Sequence, residues 1–147
     1  MVKRSLPLAS PLAMAERNAL RQRREDRARE VILTATQWLS AEHLAAVAKV
    51  EVDTIELWTT EKKNFAIYHN ERALYPQYAF DENMHPFPVI AQVQGIFADF
   101  SSLSLAAWFE STSSFLRGKR PRELVARAPD QVLAWAANTR EMELHFG

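Results

Sequence analysis

Trp108-Phe109-Glu110-Ser111-Thr112-Ser113-Ser114-Phe115-Leu116-Arg117-Gly118-Lys119-Arg120-Pro121-Arg122-Glu123-Leu124-Val125, followed by Pro129-Asp130-Gln131-Val132-Leu133-Ala134-Trp135-Ala136, reads as a helix, a glycine turn and two further helices. Gly118 permits a left-handed turn. Pro121 and Pro129 suit the first turn of a helix, where the missing N–H would have no partner in any case. Working upstream, Val89, Ile90, Val93, Ile96, Phe97 and Phe100 recur at helical spacing, so a core-facing helix is expected from about Pro88 to Asp99. Ser101 or Ser102 then caps the helix that carries Leu103, Leu105, Ala106, Trp108 and Phe109. The last helix is expected to end near Glu143.

Asp81-Glu82-Asn83-Met84-His85-Pro86-Phe87-Pro88 is polar and closed by proline, which makes residues 81–88 the best internal boundary. Before it, Phe65-Ala66-Ile67-Tyr68-His69 and Ala73-Leu74-Tyr75-Pro76-Gln77-Tyr78-Ala79-Phe80 flank Asn70-Glu71-Arg72, the pattern of a hairpin. Pro76 restricts the second strand to a sheet edge. Earlier still, Ser40 caps a helix with Leu44, Val47 and Ala48 at helical spacing after Trp38 and Leu39. Lys49-Val50-Glu51-Val52 breaks it. Asp53-Thr54-Ile55-Glu56 has the form of a capping box opening a second helix, which Ile55 and Trp58 would pack.

These blocks resemble known families. The aromatic pair Trp108-Phe109, the Leu-x-Gly-x-Arg-Pro-x-Glu-Leu run from Leu116 to Leu124 and the closing Val132-Leu133 helix resemble the toxin-binding domain of the Xre/MbcA/ParS antitoxin family. Ala45, Val50, Ile55 and Trp58 are spaced as in MerR-like and related bacterial helix-turn-helix proteins. The run Tyr75-Pro76-Gln77-Tyr78-Ala79-Phe80 resembles the wing that follows the helix-turn-helix in bacterial proteins with the same C-terminal domain. The likeness covers about residues 87–147, reaches back to about 38 and leaves the N-terminal arm unexplained.

Residues and resemblance together give a mainly α protein: an Arg-rich N-terminal helix in residues 1–33, read from the residues alone, then a helix-turn-helix with a small β-hairpin wing in 34–80, the connector, and a C-terminal helical bundle in 89–147. The resemblance also implies a protein partner, such as a toxin, and double-stranded DNA as a second partner. Trp108, Leu116, Gly118, Arg120 and Pro121 match the motif as packing, turn and cap residues. By position, Trp135, Arg140, Glu143, His145 and Phe146 fall where such families meet the partner, Trp135 being equally suited to the core. Thr54 on the second helix of the pair, with Lys62, Lys63, Asn70 and Arg72 around the hairpin, would touch DNA. Glu51 and Asp53 oppose this, because carboxylates at the start of the reading helix face phosphate repulsion, although one can accept from a cytosine amino group.

The 147 residues contain 18 Lys+Arg, 18 Asp+Glu and no Cys. Zero cysteine excludes disulfides, thiolate nucleophiles and Cys-based zinc sites, and fits a reducing compartment. The charge is uneven: residues 1–30 hold eight basic against four acidic side chains (+4), 31–100 four against nine (−5), and 101–147 six against five (+1). A polyanion contact should therefore lean on the N-terminal arm. Ser5-Leu6-Pro7-Leu8-Ala9-Ser10-Pro11 is expected to be an extended lead, and nothing breaks a helix from about Leu12 to Leu33. Arg17, Arg21 and Arg24 share a face of it, either an arm along phosphates or an acidic partner, or a solvated helix.

No apolar run reaches the roughly 20 residues that span a bilayer, and no signal-peptide core follows Met1-Val2-Lys3-Arg4, so cytoplasmic residence without membrane contact is expected. Enzyme readings find little: the four histidines are scattered, and three glycines build no phosphate loop. No metal and no cofactor are expected. Three readings remain: an antitoxin-like DNA-binding regulator, expected as a homodimer, an interaction adaptor that keeps the helix-turn-helix as scaffold, and, least supported, an enzyme, which would require turnover that tracks a particular side chain.

Overall fold

The computed structural model describes residues 10–146; the proline-rich lead before Ser10 lies outside them. The Ser10 hydroxyl accepts from the Ala13 N–H at 3.1 Å and opens α1 (Pro11–Ala35), with Pro11 in the first turn as its fixed φ prefers. Every side chain from 14 to 28 is exposed, and Ile32 is the buried residue of this helix. The chain then forms β1 (Trp38–Ser40), α2 (Ala41–Ala48), α3 (Val52–Thr60), β2 (Ile67–His69) and β3 (Arg72–Pro76). Ser40 caps α2 by accepting from the His43 N–H at 3.1 Å.

The strands make a three-stranded antiparallel sheet in the order β1-β3-β2, where the sequence suggested a hairpin alone. Trp38 and Leu39 lie in β1, with Leu39 opposite Tyr75. Asn70 and Glu71 take φ of 51° and 63°, the left-handed pair that a two-residue hairpin turn requires. β3 is central, not an edge. Pro76 is tolerated because β2 ends opposite Leu74, so its missing donor has no strand to serve, and the next N–H, of Gln77, reaches the Gln37 carbonyl at 3.0 Å.

A 3₁₀ turn at Gln77–Ala79 leads into the connector. There one oxygen of Asp81 accepts the N–H of Asn83 at 2.8 Å and of His85 at 3.0 Å, so the side chain supplies the turn. Beyond it stand α4 (Pro88–Ile96), α5 (Ser102–Glu110), a 3₁₀ turn at Ser114–Leu116, α6 (Pro121–Leu124) and α7 (Pro129–Phe146). Ser101 caps α5, its hydroxyl accepting from the Ser104 N–H at 3.1 Å. α4 stops three residues before the expected Asp99, and α7 runs three past Glu143.

One hydrophobic cluster extends from Ile32 to Ala136, on both sides of residues 81–88. Leu44, Ile55, Ile90, Val93, Phe109 and Val132 are fully enclosed within it. The Trp108 ring meets Phe97 and Phe109 edge-on, with centroids 5.1 and 5.0 Å away, and its Nε1 donates to Thr139 Oγ1 at 3.2 Å. This tryptophan ties α5 to α7. A second tie joins α4 to the loop after α3: Gln94 Nε2 donates at 2.9 Å to the carbonyls of both Lys62 and Asn64.

Candidate functional site

Two exposed regions collect the residues singled out by sequence. The first is the face of α3 with the β2–β3 hairpin. α2 ends at Lys49, held at φ 60° where glycine is the easier residue, and the Val50 N–H returns to the Ala45 carbonyl at 3.0 Å. α3 begins at Val52, one residue before the expected capping box, and its N-cap, Glu51, makes no side-chain cap bond. Asp53, Glu56, Leu57 and Thr60 form its exposed face, and no basic residue lies on it. Thr54 is half-buried, with its N–H on the Glu51 carbonyl at 2.9 Å.

Lys62 and Lys63 stand exposed on the loop from α3 to β2, Lys63 pairing with Glu61 at 3.2 Å. Asn70 is in the hairpin turn. Arg72, on the first position of β3, lies 3.9 Å from Glu42, both heads being well exposed, so this pair holds little energy. Arg17, Arg21 and Arg24 are exposed on α1 and do not join this set. One flank of α1, with Asp26, Arg29 and Glu30, borders Tyr68, His69 and Asn70 across a cleft of about 480 Å³. Arg24 and Arg27 lie on the other flank, beside Leu103 and Ala107 of α5.

The second region is the turn between α5 and α7. Arg117 and Gly118 take φ of 59° and 84°, and the Gly118 N–H reaches the Ser113 carbonyl at 2.7 Å. Both left-handed residues fold the chain back on itself. Glu110 then gathers two arginines: Arg122 Nε is 2.8 Å from its carboxylate, and Arg120 Nε donates to its backbone carbonyl at 2.9 Å. The Glu123 carboxylate accepts the Arg120 N–H at 2.8 Å, and that bond holds its pKa below the ordinary glutamate value. Trp108, Leu116 and Pro121 are buried. The motif residues therefore build the turn and its packing.

What the turn presents outward is a cleft of about 570 Å³. Phe115 walls it at 49% exposure and lies 5.3 Å, centroid to centroid, from the half-buried Trp135. Arg117, Lys119 and Arg127 surround it, none of them in an ion pair among the described residues, and Asp130 is its acid. Trp135 Nε1 is buried without a hydrogen-bond partner. The sequence singled out Trp135, which packs against Phe115 beside the cleft, but not Phe115, Arg117, Lys119 or Arg127. A lone aromatic inside the polar run Ser111 to Arg117 was the available signal.

Arg140 is turned inward. Its guanidinium donates to the Ile96 carbonyl at 3.2 Å, binds Asp99, and sits 5.5 Å over the rings of Phe97 and Phe100. It closes the C-terminal end of α4, where orphan carbonyls and the helix dipole favour a cation. Its hydrogen bond lowers the Asp99 pKa. Glu143 is exposed and reaches Arg140 at 3.3 Å. His145 and Phe146 belong to α7, but their side chains lie outside the described ones.

Near the Glu110 knot, the Tyr78 hydroxyl is buried without a hydrogen-bond partner, as is one oxygen of Glu110. Burial first, and the Glu110 charge second, push the phenol pKa well above its ordinary value. Among the described residues, no helix is long and apolar enough to cross a membrane.

No protein-family model and no curated protein matches the chain. In fold it is similar to the NMR structure of Rv2175c, with a TM-score of 0.56 over 69% of this chain and 82% of that one, at 14% identity.

Proposed function

We propose that the chain is an antitoxin-like regulator, with a winged helix-turn-helix that contacts DNA and a C-terminal helical domain that grips a protein partner. The observation that supports it most is the element order α1-β1-α2-α3-β2-β3 with β1 paired to β3, the order a winged helix would have, continued by a helical unit with an aromatic, cationic cleft. In this reading α2 and α3 are the helix-turn-helix and the β2–β3 hairpin is the wing. Lys62, Lys63, Asn70 and Arg72 meet phosphates. Phe115 and Trp135 anchor the partner, flanked by Arg117, Lys119 and Arg127, as aromatic and arginine residues commonly do at interfaces.

Anisotropy titrations with a duplex from the region upstream of its own gene test the DNA half. Affinity is expected to fall steeply from about 50 to 200 mM salt, and Lys62→Glu with Arg72→Glu should flatten that dependence. No salt-sensitive binding at any concentration would remove DNA from the proposal. The partner half is tested by co-expression with the product of the adjacent reading frame: Phe115→Ala with Trp135→Ala should abolish co-purification while the fold persists.

The acidic face of α3 favours a second reading, an adaptor in which the winged helix is only a scaffold. Under it, Glu51→Arg with Asp53→Gln leaves partner binding unchanged and the duplex never binds.

A further inference from the structure

The flank of α1 that faces α5 combines apolar side chains with arginines on an exposed surface. Ala28, Val31 and Ile32 from α1 and Leu103 and Ala107 from α5 line an almost wholly apolar groove of about 380 Å³, with Arg24 and Arg27 at its rim. Val31 is 61% exposed although it lines this apolar surface. Leu20, 44% exposed, continues the line: Leu20, Arg24, Arg27 and Val31 follow one another at spacings of four, three and four, so they share one face of the helix. Neither arginine is in an ion pair among the described residues, whereas Arg29, one position beyond Ala28, pairs with Asp26 at 3.2 Å. The chain has thus left apolar side chains and unneutralised guanidinium groups together on a surface that water covers.

We propose that this α1–α5 groove docks an acidic amphipathic helix of a partner protein, its apolar stripe on Val31, Leu103 and Ala107 and its carboxylates on Arg24 and Arg27. Helix-in-groove recognition needs an apolar floor and flanking charge of opposite sign, and both are present. Other occupants fit less well. A nucleic acid would answer the arginines but bury no apolar surface on the floor. The same face of a second copy would bring Arg24 and Arg27 against their own kind. Residues 1–9 contain Lys3 and Arg4 and no acid, so they too have the wrong sign. The inference is independent of the winged-helix reading, since neither α3 nor the Phe115 cleft takes part.

The test uses the full chain and a fluorescein-labelled helical peptide of about 18 residues, with leucines at helical spacing flanked by glutamates, alongside a peptide in which lysine replaces each glutamate. The acidic peptide should bind, with its affinity reduced about tenfold or more by Arg24→Glu with Arg27→Glu and by Val31→Ser, all exposed positions that leave the fold intact. The lysine peptide should bind the wild type weakly and the double-glutamate variant at least about tenfold better. Equal affinity for both peptides, or no change in the two variants, overturns the proposal. So does a DNA duplex that competes the acidic peptide away only while Arg24 and Arg27 are intact and binds more tightly than it. Self-association in sedimentation velocity that Val31→Ser abolishes, with no peptide binding, would assign the groove to a second copy instead.

Discussion

α1 runs for 25 residues and α7 for 18, yet Ile32 is the buried residue of the first, while Val132 and Ala136 of the second are fully enclosed. α7 is fastened along its length: Val132 in the core, Thr139 on Trp108, and Arg140 on the end of α4. α1 is fastened only through its last turns. A helix can thus be long without being held, because most helical stability comes from burying a face. Its exposed first half therefore depends on local propensity and on whatever docks beside it.

A charge placed on each helix should separate the two most widely. Val132→Asp puts an unpaired carboxylate into the enclosed core and should remove the cooperative thermal transition, whereas Leu20→Asp should alter stability by no more than about 0.5 kcal/mol. If both shift the melting curve alike, α1 is held as firmly as α7. Arg140→Ala comes next, at about 1–3 kcal/mol in urea titrations, since it frees the Ile96 carbonyl and uncovers Phe97 and Phe100. Gly118→Ala should cost about 1 kcal/mol through backbone conformation alone, because its φ is 84° and the space around a Cβ there is open.

The smallest effect is also the most specific. Tyr78→Phe removes a buried hydroxyl that bonds to nothing, so near neutral pH it should change stability by less than about 1 kcal/mol or raise it. The effect grows in alkali. The folded phenol pKa is raised above the unfolded one, so the wild type keeps this stability below the ordinary tyrosine range and loses it as the pH rises beyond that range. The phenylalanine variant should lack that part of the loss, which thermal melts across the alkaline range will show.

The C-terminal half was legible because its signals are local. Ser101, Gly118, Pro121 and Pro129 act on the backbone within a turn of where they stand, and the structure uses each as the chemistry predicts. β1 was hidden for the opposite reason. Three residues, Trp38 to Ser40, have no period of their own and become a strand only because β3 arrives beside them. Arg140 was read as a partner contact since no sequence pattern announces that the Ile96 carbonyl will need a cation. The same limit applied to the Phe115 cleft: its cations come from residues 117, 119 and 127, which only the turn at Gly118 gathers.

Because Leu39 pairs with Tyr75, the whole stretch from Ser40 to Leu74 is enclosed in a single closed loop of chain. Closing that loop costs conformational entropy before α2 and α3 gain anything from it, while the β2–β3 hairpin closes over only two residues. The expected order of assembly has the hairpin forming first, β1 joining late and limiting the rate, and α2 with α3 locked in place in that last step. In native-state exchange the amides of β1 should then open together with those of α2 and α3, one foldon governed by a strand of three residues.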